Sequence, residues 1–297
     1  MRSLAVTLLT LFTALACHSG ERSSGGAPSA SARAAVRPPP SPPASAPRPP
    51  KPPKGCRVLT VTGGAARESG SPLLANQTLD GGVWLELAAG AKLSLRHVAS
   101  TREWTLLGPA KVRPCLDGEE QIALASGRIK STVGGGARPG AEVFVFTPFG
   151  TVRYGDATLT ATVEDARLDI GLEAGDGWLE PVGRSSSARP DTRKLARSEA
   201  ISLKPNRALL EQRCAEDAQA AAEVAKAMVS APNGKVDLSK KAVSHLKARR
   251  RARLSCGEAL AYAGRLEGEE RGRLLDRLSE LEQIWRAFPK PSGPELP

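Results

Sequence analysis

The sequence predicts an all-β domain, a sandwich or roll, followed by a small α-helical region and preceded by a disordered Pro-rich linker. Three observations carry this expectation. From Arg57 to about Lys204 apolar residues recur with period two, and Gly- or Asp-containing turns break them at strand-length intervals. From residue 207 the chain becomes rich in Ala, Leu, Glu and Arg at helical spacing. Eleven of the 24 prolines fall in residues 18–54. The chain therefore divides into an export signal (1–16), an anchor and tether (17–54), the β domain (55–205), a helical hairpin or bundle (206–288) and a disordered tail (289–297).

The first element reads as a signal peptide. Arg2 supplies a positive start, Leu4 to Phe12 is apolar and uncharged, and Thr13-Ala14-Leu15-Ala16 leads into Cys17. The apolar run is short for a transmembrane helix, which needs about 20 residues. A cysteine directly after a small residue resembles the lipobox of bacterial lipoproteins. Ala14 stands where that box most often has Leu. The resemblance implies cleavage before Cys17 and acylation of its thiol, a palmitate-type membrane anchor in the cell envelope. His18 stands where enteric bacteria place the Asp that retains lipoproteins in the inner membrane, which leans the expectation to the outer membrane. Two or three acyl chains hold a protein stably where one does not.

The tether follows. Pro38-Pro39-Pro40-Ser41-Pro42-Pro43 and Pro49-Pro50-Lys51-Pro52-Pro53 favour extended polyproline II, and no apolar period accompanies them. Much of the net charge of +11 also sits here, because six bases face the single acid Glu21. Residues 55–205 carry 18 bases and 17 acids, and residues 206–297 carry 17 and 13. A near-neutral β region with basic flanks argues against a nucleic-acid reader and for contact with anionic lipid or polymer.

In the β region Val83–Leu87, Lys92–Arg96, Glu142–Phe146 and Arg167–Leu172 have strand length and alternate or run apolar. Gly63-Gly64, Asp80-Gly81-Gly82, Asp117-Gly118, Gly134-Gly135-Gly136 and Gly175-Asp176-Gly177 are the turns. Leu124 with Gly127, then Thr147-Pro148-Phe149-Gly150 and Gly155, resemble the core motifs of the FecR domain. Residues 74–98 resemble its earlier strands and 195–205 its closing strand. Asp156 departs from the family, which usually has Thr there. The resemblance spans about residues 56–205 and implies a FecR-like fold and a binding role. The family's regulators also have a cytoplasmic segment and a transmembrane helix. This sequence shows neither, so relay of an envelope signal to a sigma factor is the alternative expectation.

Three helical stretches are expected in the tail, at Arg207–Val229, Leu238–Leu266 and Glu269–Phe288, with Pro232-Asn233-Gly234 as a turn. Leu274, Leu278, Leu281, Trp285 and Phe288 form one stripe, to pack on the other helices or the β domain, or on a partner. Lys247 to Arg253 is the densest charge run. Its bases spread around the helix, so it reads as a solvated face with contact to anionic lipid or polysaccharide as its functional alternative.

Four cysteines remain besides Cys17: Cys56, Cys115, Cys214 and Cys256. An exported chain meets an oxidising compartment, and four cysteines allow three pairings. If the first two helices form a hairpin, Cys214 and Cys256 both lie about 25 Å from the turn, at equal height. That geometry selects Cys214–Cys256 as a clasp and leaves Cys56–Cys115 to tie the start of the β domain to its middle.

Catalytic, metal and cofactor signals are missing from the sequence. His97 and His245 stand alone, no nucleophile elbow, zinc-protease helix or P-loop occurs, and no Cys-x-x-Cys pair suggests zinc or redox chemistry. Glu119-Glu120 and Glu164-Asp165 are adjacent, so on a strand they point to opposite faces and make poor acid–base partners. The resulting expectation is a non-enzymatic envelope lipoprotein, with no cofactor, metal or nucleic acid, that holds a membrane through Cys17 and binds a protein or glycan partner. A cell-wall hydrolase is the weakest alternative.

Overall fold

The computed structural model describes residues 54–100, 102–132, 142–183, 192–202, 204–229 and 238–286. Cys17, the tether, Gly134-Gly135-Gly136, the Pro232-Asn233-Gly234 turn, Phe288 and the C-terminal tail lie outside them. Pro50–Pro297 forms one compact unit.

Among the described residues fourteen strands and three helices build this unit. The strands are β1 (Cys56–Thr62), β2 (Ala65–Arg67), β3 (Thr78–Leu79), β4 (Leu85–Leu87), β5 (Lys92–His97), β6 (Glu103–Pro114), β7 (Gln121–Thr132), β8 (Val143–Thr147), β9 (Gly150–Tyr154), β10 (Thr158–Val163), β11 (Arg167–Ala174), β12 (Gly177–Pro181), β13 (Arg193–Lys194) and β14 (Ser198–Ser202). The helices are α1 (Arg207–Val229), α2 (Leu238–Ala263) and α3 (Gly268–Arg286). The expected strands and helices form close to their expected bounds. Val83 and Trp84 are an exception, since β4 starts only at Leu85.

β6 and β7 organise the sheet, because each is 12 residues long and serves two halves. The first part of β6 and the second part of β7 join β3-β1-β5-β6-β7-β10-β11-β14. Their other ends join β2-β4-β6-β7-β8-β9-β12-β13. All pairs are antiparallel except β7 with β8. The halves meet where the β6–β7 register shifts between Leu107 and Lys111. Pro109 lacks an N–H and fits such a break. Opposite it Gly127 has φ +94°, and a Cβ there would stand 2.3 Å from that of Ala110. The glycine lets β7 bend as the sheet folds over.

The halves close on one core. Leu93, Leu95, Trp104, Leu106, Leu159 and Leu168 of the first half meet Leu85, Val112, Ile122, Val145, Val152 and Leu179 of the second. Trp104 Nε1 donates to Tyr154 Oη at 3.3 Å across the layer. Cys56 at the start of β1 is bonded to Cys115 just after β6, with Cα atoms 5.8 Å apart.

The outer faces differ. In β8 all five residues are buried, as are the first five of β7. Such runs mark strands covered on both sides. Here the inner side is the core, and the outer side carries Trp84, Ala123, Ala125, Phe144 and Phe146 against Leu254 and Ala261 of α2. Gly257 lies on Phe146, where a Cβ would be 2.6 Å from the ring, and Gly264, just past the helix, meets Trp84 in the same way. Positions 254, 257, 261 and 264 recur at spacings of three and four, so they share one stripe. Asn206 caps α1, accepting from the Leu209 N–H at 3.2 Å. Leu274, Leu278 and Leu281 of α3 pack with Leu210, Ala218, Ala252 and Ala259. The apolar stripe of α3 thus packs on the other helices. Cys214 and Cys256 are bonded across α1 and α2, with Cα atoms 4.6 Å apart. Both bridges therefore have the pairing that the hairpin geometry selects.

Candidate functional site

The β6–β7 connection carries an unusual concentration of polar chemistry. Cys115 and Asp117 both have positive φ, 51° and 58°, around a single 3-10 turn at Leu116–Gly118. Non-glycine residues reach that region at a cost and are held there by their surroundings. Cys115 is held by its bridge to Cys56, and Asp117 pairs with Arg286 of α3. Gly81 packs under the turn so closely that a Cβ would meet the Cys115 carbonyl. Beside it opens a cleft of about 290 Å³, lined by Lys54, Asp80, Arg113, Asp117 and glycine backbone. Arg113 Nε donates to the Gly81 carbonyl at 3.0 Å, and burial pushes its pKa down against the pull of Glu282 and Asp117.

Behind the turn lies a buried polar network. His97 Nε2 sits 3.2 Å from the Gly118 carbonyl, so that nitrogen carries a proton and donates. Nδ1 faces Ser100 Oγ at 3.1 Å and Glu120 Oε1 at 3.6 Å. Arg102 is fully buried, donates to Glu120 at 2.9 Å and lies over the Tyr154 ring. Burial raises the Tyr154 phenol above its ordinary pKa, with the hydrogen bond from Trp104 and the charge of Arg102 opposing. A serine, a histidine and a glutamate are thus in contact, yet the order of a hydrolase triad is missing. In a triad the acid and the nucleophile hold opposite ring nitrogens. Here both lie on the Nδ1 side, and Nε2 is spent on a carbonyl. Ser100 is buried, with 4% of its surface exposed, so a substrate has no room to reach it.

The other predicted groups are scattered over the fold and do not converge on one site. Glu119 and Glu120 lie in the bend before β7 and not on a strand; Glu119 pairs with Arg253 of α2 and Glu120 with the buried Arg102. The Glu164 and Asp165 carbonyls accept from Arg265, at 2.9 and 3.1 Å. His245 is buried in α2 with no partner at Nδ1. Burial, reinforced by Arg249, pushes its pKa down, so the ring is neutral at pH 7. No group of three or more metal-ligating side chains occurs among the described residues. None of the described helices is long and apolar enough to cross a membrane.

The basic run on α2 is solvated only in part: Lys247, Arg250 and Arg251 are exposed, as its sequence reading expects, while Arg250 and Arg253 also dock on the sheet. Arg250 and Arg253 lie over the Phe144 ring, 5.8 and 5.6 Å from its centre. Arg250 pairs with Glu142 and Glu180, both at 3.7 Å, and Arg253 with Glu119. Burial pulls the Arg253 pKa down to about 10, so it stays charged at neutral pH. Arg265 to Asp165, Arg271 to Glu68 and Arg286 to Asp117 extend the pattern. In each of these pairs the helical region supplies the base, Arg265 from the α2–α3 turn, and the sheet region the acid. The reason is local: the sheet's apolar patch is rimmed by carboxylates, and arginine offers a flat, weakly hydrated cation that stacks and pairs together.

Sequence reasoning missed Arg102, Trp104 and Tyr154 as a buried polar centre. The described residues define a disulfide-stapled β protein with a docked helical layer. No family model matches the chain, and no curated protein matches it.

Proposed function

We propose that this chain is a non-enzymatic lipoprotein of the bacterial cell envelope that displays a FecR-like β domain to bind a protein or glycan partner. Cys17 carries the lipid, the Pro-rich segment spaces the domain from the bilayer, and the outer membrane is the favoured site. The observation that carries the proposal is the use of the five cysteines. Four are joined in two bridges, as an oxidising compartment allows. The fifth stands in a lipobox-like setting behind an apolar run. The lack of triad order around His97 and the ion pairing of Glu119 and Glu120 support a binding role over hydrolysis. The Leu124–Gly127 and Thr147–Gly150 segments support the FecR-like reading in physical terms. Gly127 makes the β7 bend, and Thr147 Oγ1 donates to the Gly150 carbonyl at 2.7 Å in the β8–β9 turn.

Metabolic labelling with an alkynyl fatty acid in a bacterial host tests the anchor. The wild-type chain is expected to take the label and to partition with membranes, and Cys17→Ala is expected to lose both. Equal labelling of the two chains would remove the anchor from the proposal.

A further inference from the structure

The outer face of the first half-sheet differs from the helix-covered one, because no described element lies on it. Six successive pairings set one row across seven strands: Thr60 opposite Ser94, then Thr105, Lys130, Thr160, Gly171 and Ser198. At the usual strand spacing this row is about 29 Å long. All of these residues are exposed or half-buried, and Thr160 is flanked on the same face of β10 by Thr158 and Thr162. The face is a ladder of hydroxyls.

Threonine suits any strand, so the ladder alone decides nothing. The charges on the same face add the second observation. Arg96 pairs with Glu103, Lys130 with Glu173 and Arg167 with Asp169. These pairs use every carboxylate the described strands place on this face. Arg57, Lys92 and Arg128 are left. Arg57 donates to the Asn76 side chain and Arg128 to Thr162 Oγ1, both at 3.1 Å. Neither they nor Lys92 is paired with a carboxylate among the described residues. Lys92 and Arg128 stand in one row with only Leu107 between them, about 10 Å apart.

We infer that this open face is a docking surface for an extended acidic polysaccharide. Hydroxyls in a row match the hydroxyls of a sugar chain, and three cations without carboxylate partners match its carboxylates. The face holds no aromatic ring, which neutral sugars and single-stranded nucleic acid use for stacking. Leu107 is its one large apolar side chain at the row centre, too little for insertion into a bilayer. The inference rests on the binding role proposed above but not on the Cys17 anchor.

The test uses the full chain, purified in mild detergent, with polygalacturonate as the probe. Its fully methyl-esterified form serves as the neutral counterpart, and vesicles containing phosphatidylglycerol as the lipid counterpart. Binding to polygalacturonate is expected, weakening as salt is raised and falling about tenfold in K92E/R128E. The α3 variant R273E/R277E makes the same change of net charge away from the face and is expected to bind as wild type does. The neutral variant T105V/T160V is expected to bind more weakly with its melting temperature preserved, which separates loss of hydroxyls from loss of fold. No binding to polygalacturonate would overturn the inference, as would equal binding to the methyl ester. Equal losses in K92E/R128E and R273E/R277E would show general attraction to a basic protein and also overturn it. Tighter binding to the vesicles, with the same K92E/R128E loss, would assign the face to a lipid surface instead. Every arm reads the face whether or not Cys17 is acylated, and acyl labelling reads the anchor whether or not sugar binds.

Discussion

The two outer faces of the folded sheet have opposite chemistry. One is Trp84, Phe144 and Phe146 rimmed by Glu68, Glu119, Glu142 and Glu180, and helices cover it. The other is threonine and serine with paired charges and three surplus cations, and no described element covers it. The difference shows what decides whether a sheet face recruits a layer. Large apolar side chains are costly to leave in water, at about 25 cal/mol per Å². A helix with glycines at the contact points can approach them closely. A face of hydroxyls is already solvated and gains nothing by being covered from within the chain.

The contrast can be broken most directly at Phe146. Phe146→Ala leaves a cavity beneath Gly257 and is expected to cost about 3–5 kcal/mol in urea unfolding. A loss below 1 kcal/mol would mean that the helical layer is not packed there. Removing the clasp comes next. Cys214→Ala with Cys256→Ala opens a 42-residue separation and is expected to cost about 4 kcal/mol in the same assay, by loop entropy. Smaller is the pH effect at Glu282 in α3. Burial raises its pKa, against the pull of Arg286. A carboxyl raised by folding adds stability while protonated. That stability is present below the unfolded pKa and is lost as pH rises through the folded one. The slope of unfolding free energy against pH above the ordinary carboxylate range should therefore flatten in Glu282→Gln, and an unchanged slope would reject the assignment. The smallest effect belongs to the open face: Thr160→Ala is expected to cost about 0.5 kcal/mol. A cost near that of Phe146→Ala would show that something does pack on the ladder.

Much of this was legible in the residues. Period two gave the strands, helical spacing gave the three helices, and equal heights on a hairpin gave both disulfides. The run Val143–Phe146 marked a strand, and its burial on two sides emerged only with the helical layer in place. What covers the second face was not legible, because periodicity marks an apolar stripe without naming its mate. The arginines of α2 show the reason from the other side. A run spread around a helix looks solvated until Phe144 and the Glu119–Glu142–Glu180 rim are brought beneath it by pairings far apart in sequence. The division of β6 and β7 between two half-sheets was hidden as well, because strand length alone does not tell a long flat strand from one bent at Gly127. Of the polar centre, His97 was picked out, whereas Arg102 and Tyr154 gained their roles only from the fold.

The bridge between Cys56 and Cys115 has a mechanical meaning. Any tension arriving from the N-terminal side passes Lys54 and Gly55 and reaches Cys56 at once. There it crosses to Cys115, at the far end of the longest strands in the sheet. The chain between the two cysteines is a closed loop and cannot be drawn out. A tug that would unzip β1 from β5 is instead passed to the end of β6, and β1 lies inside the closed loop.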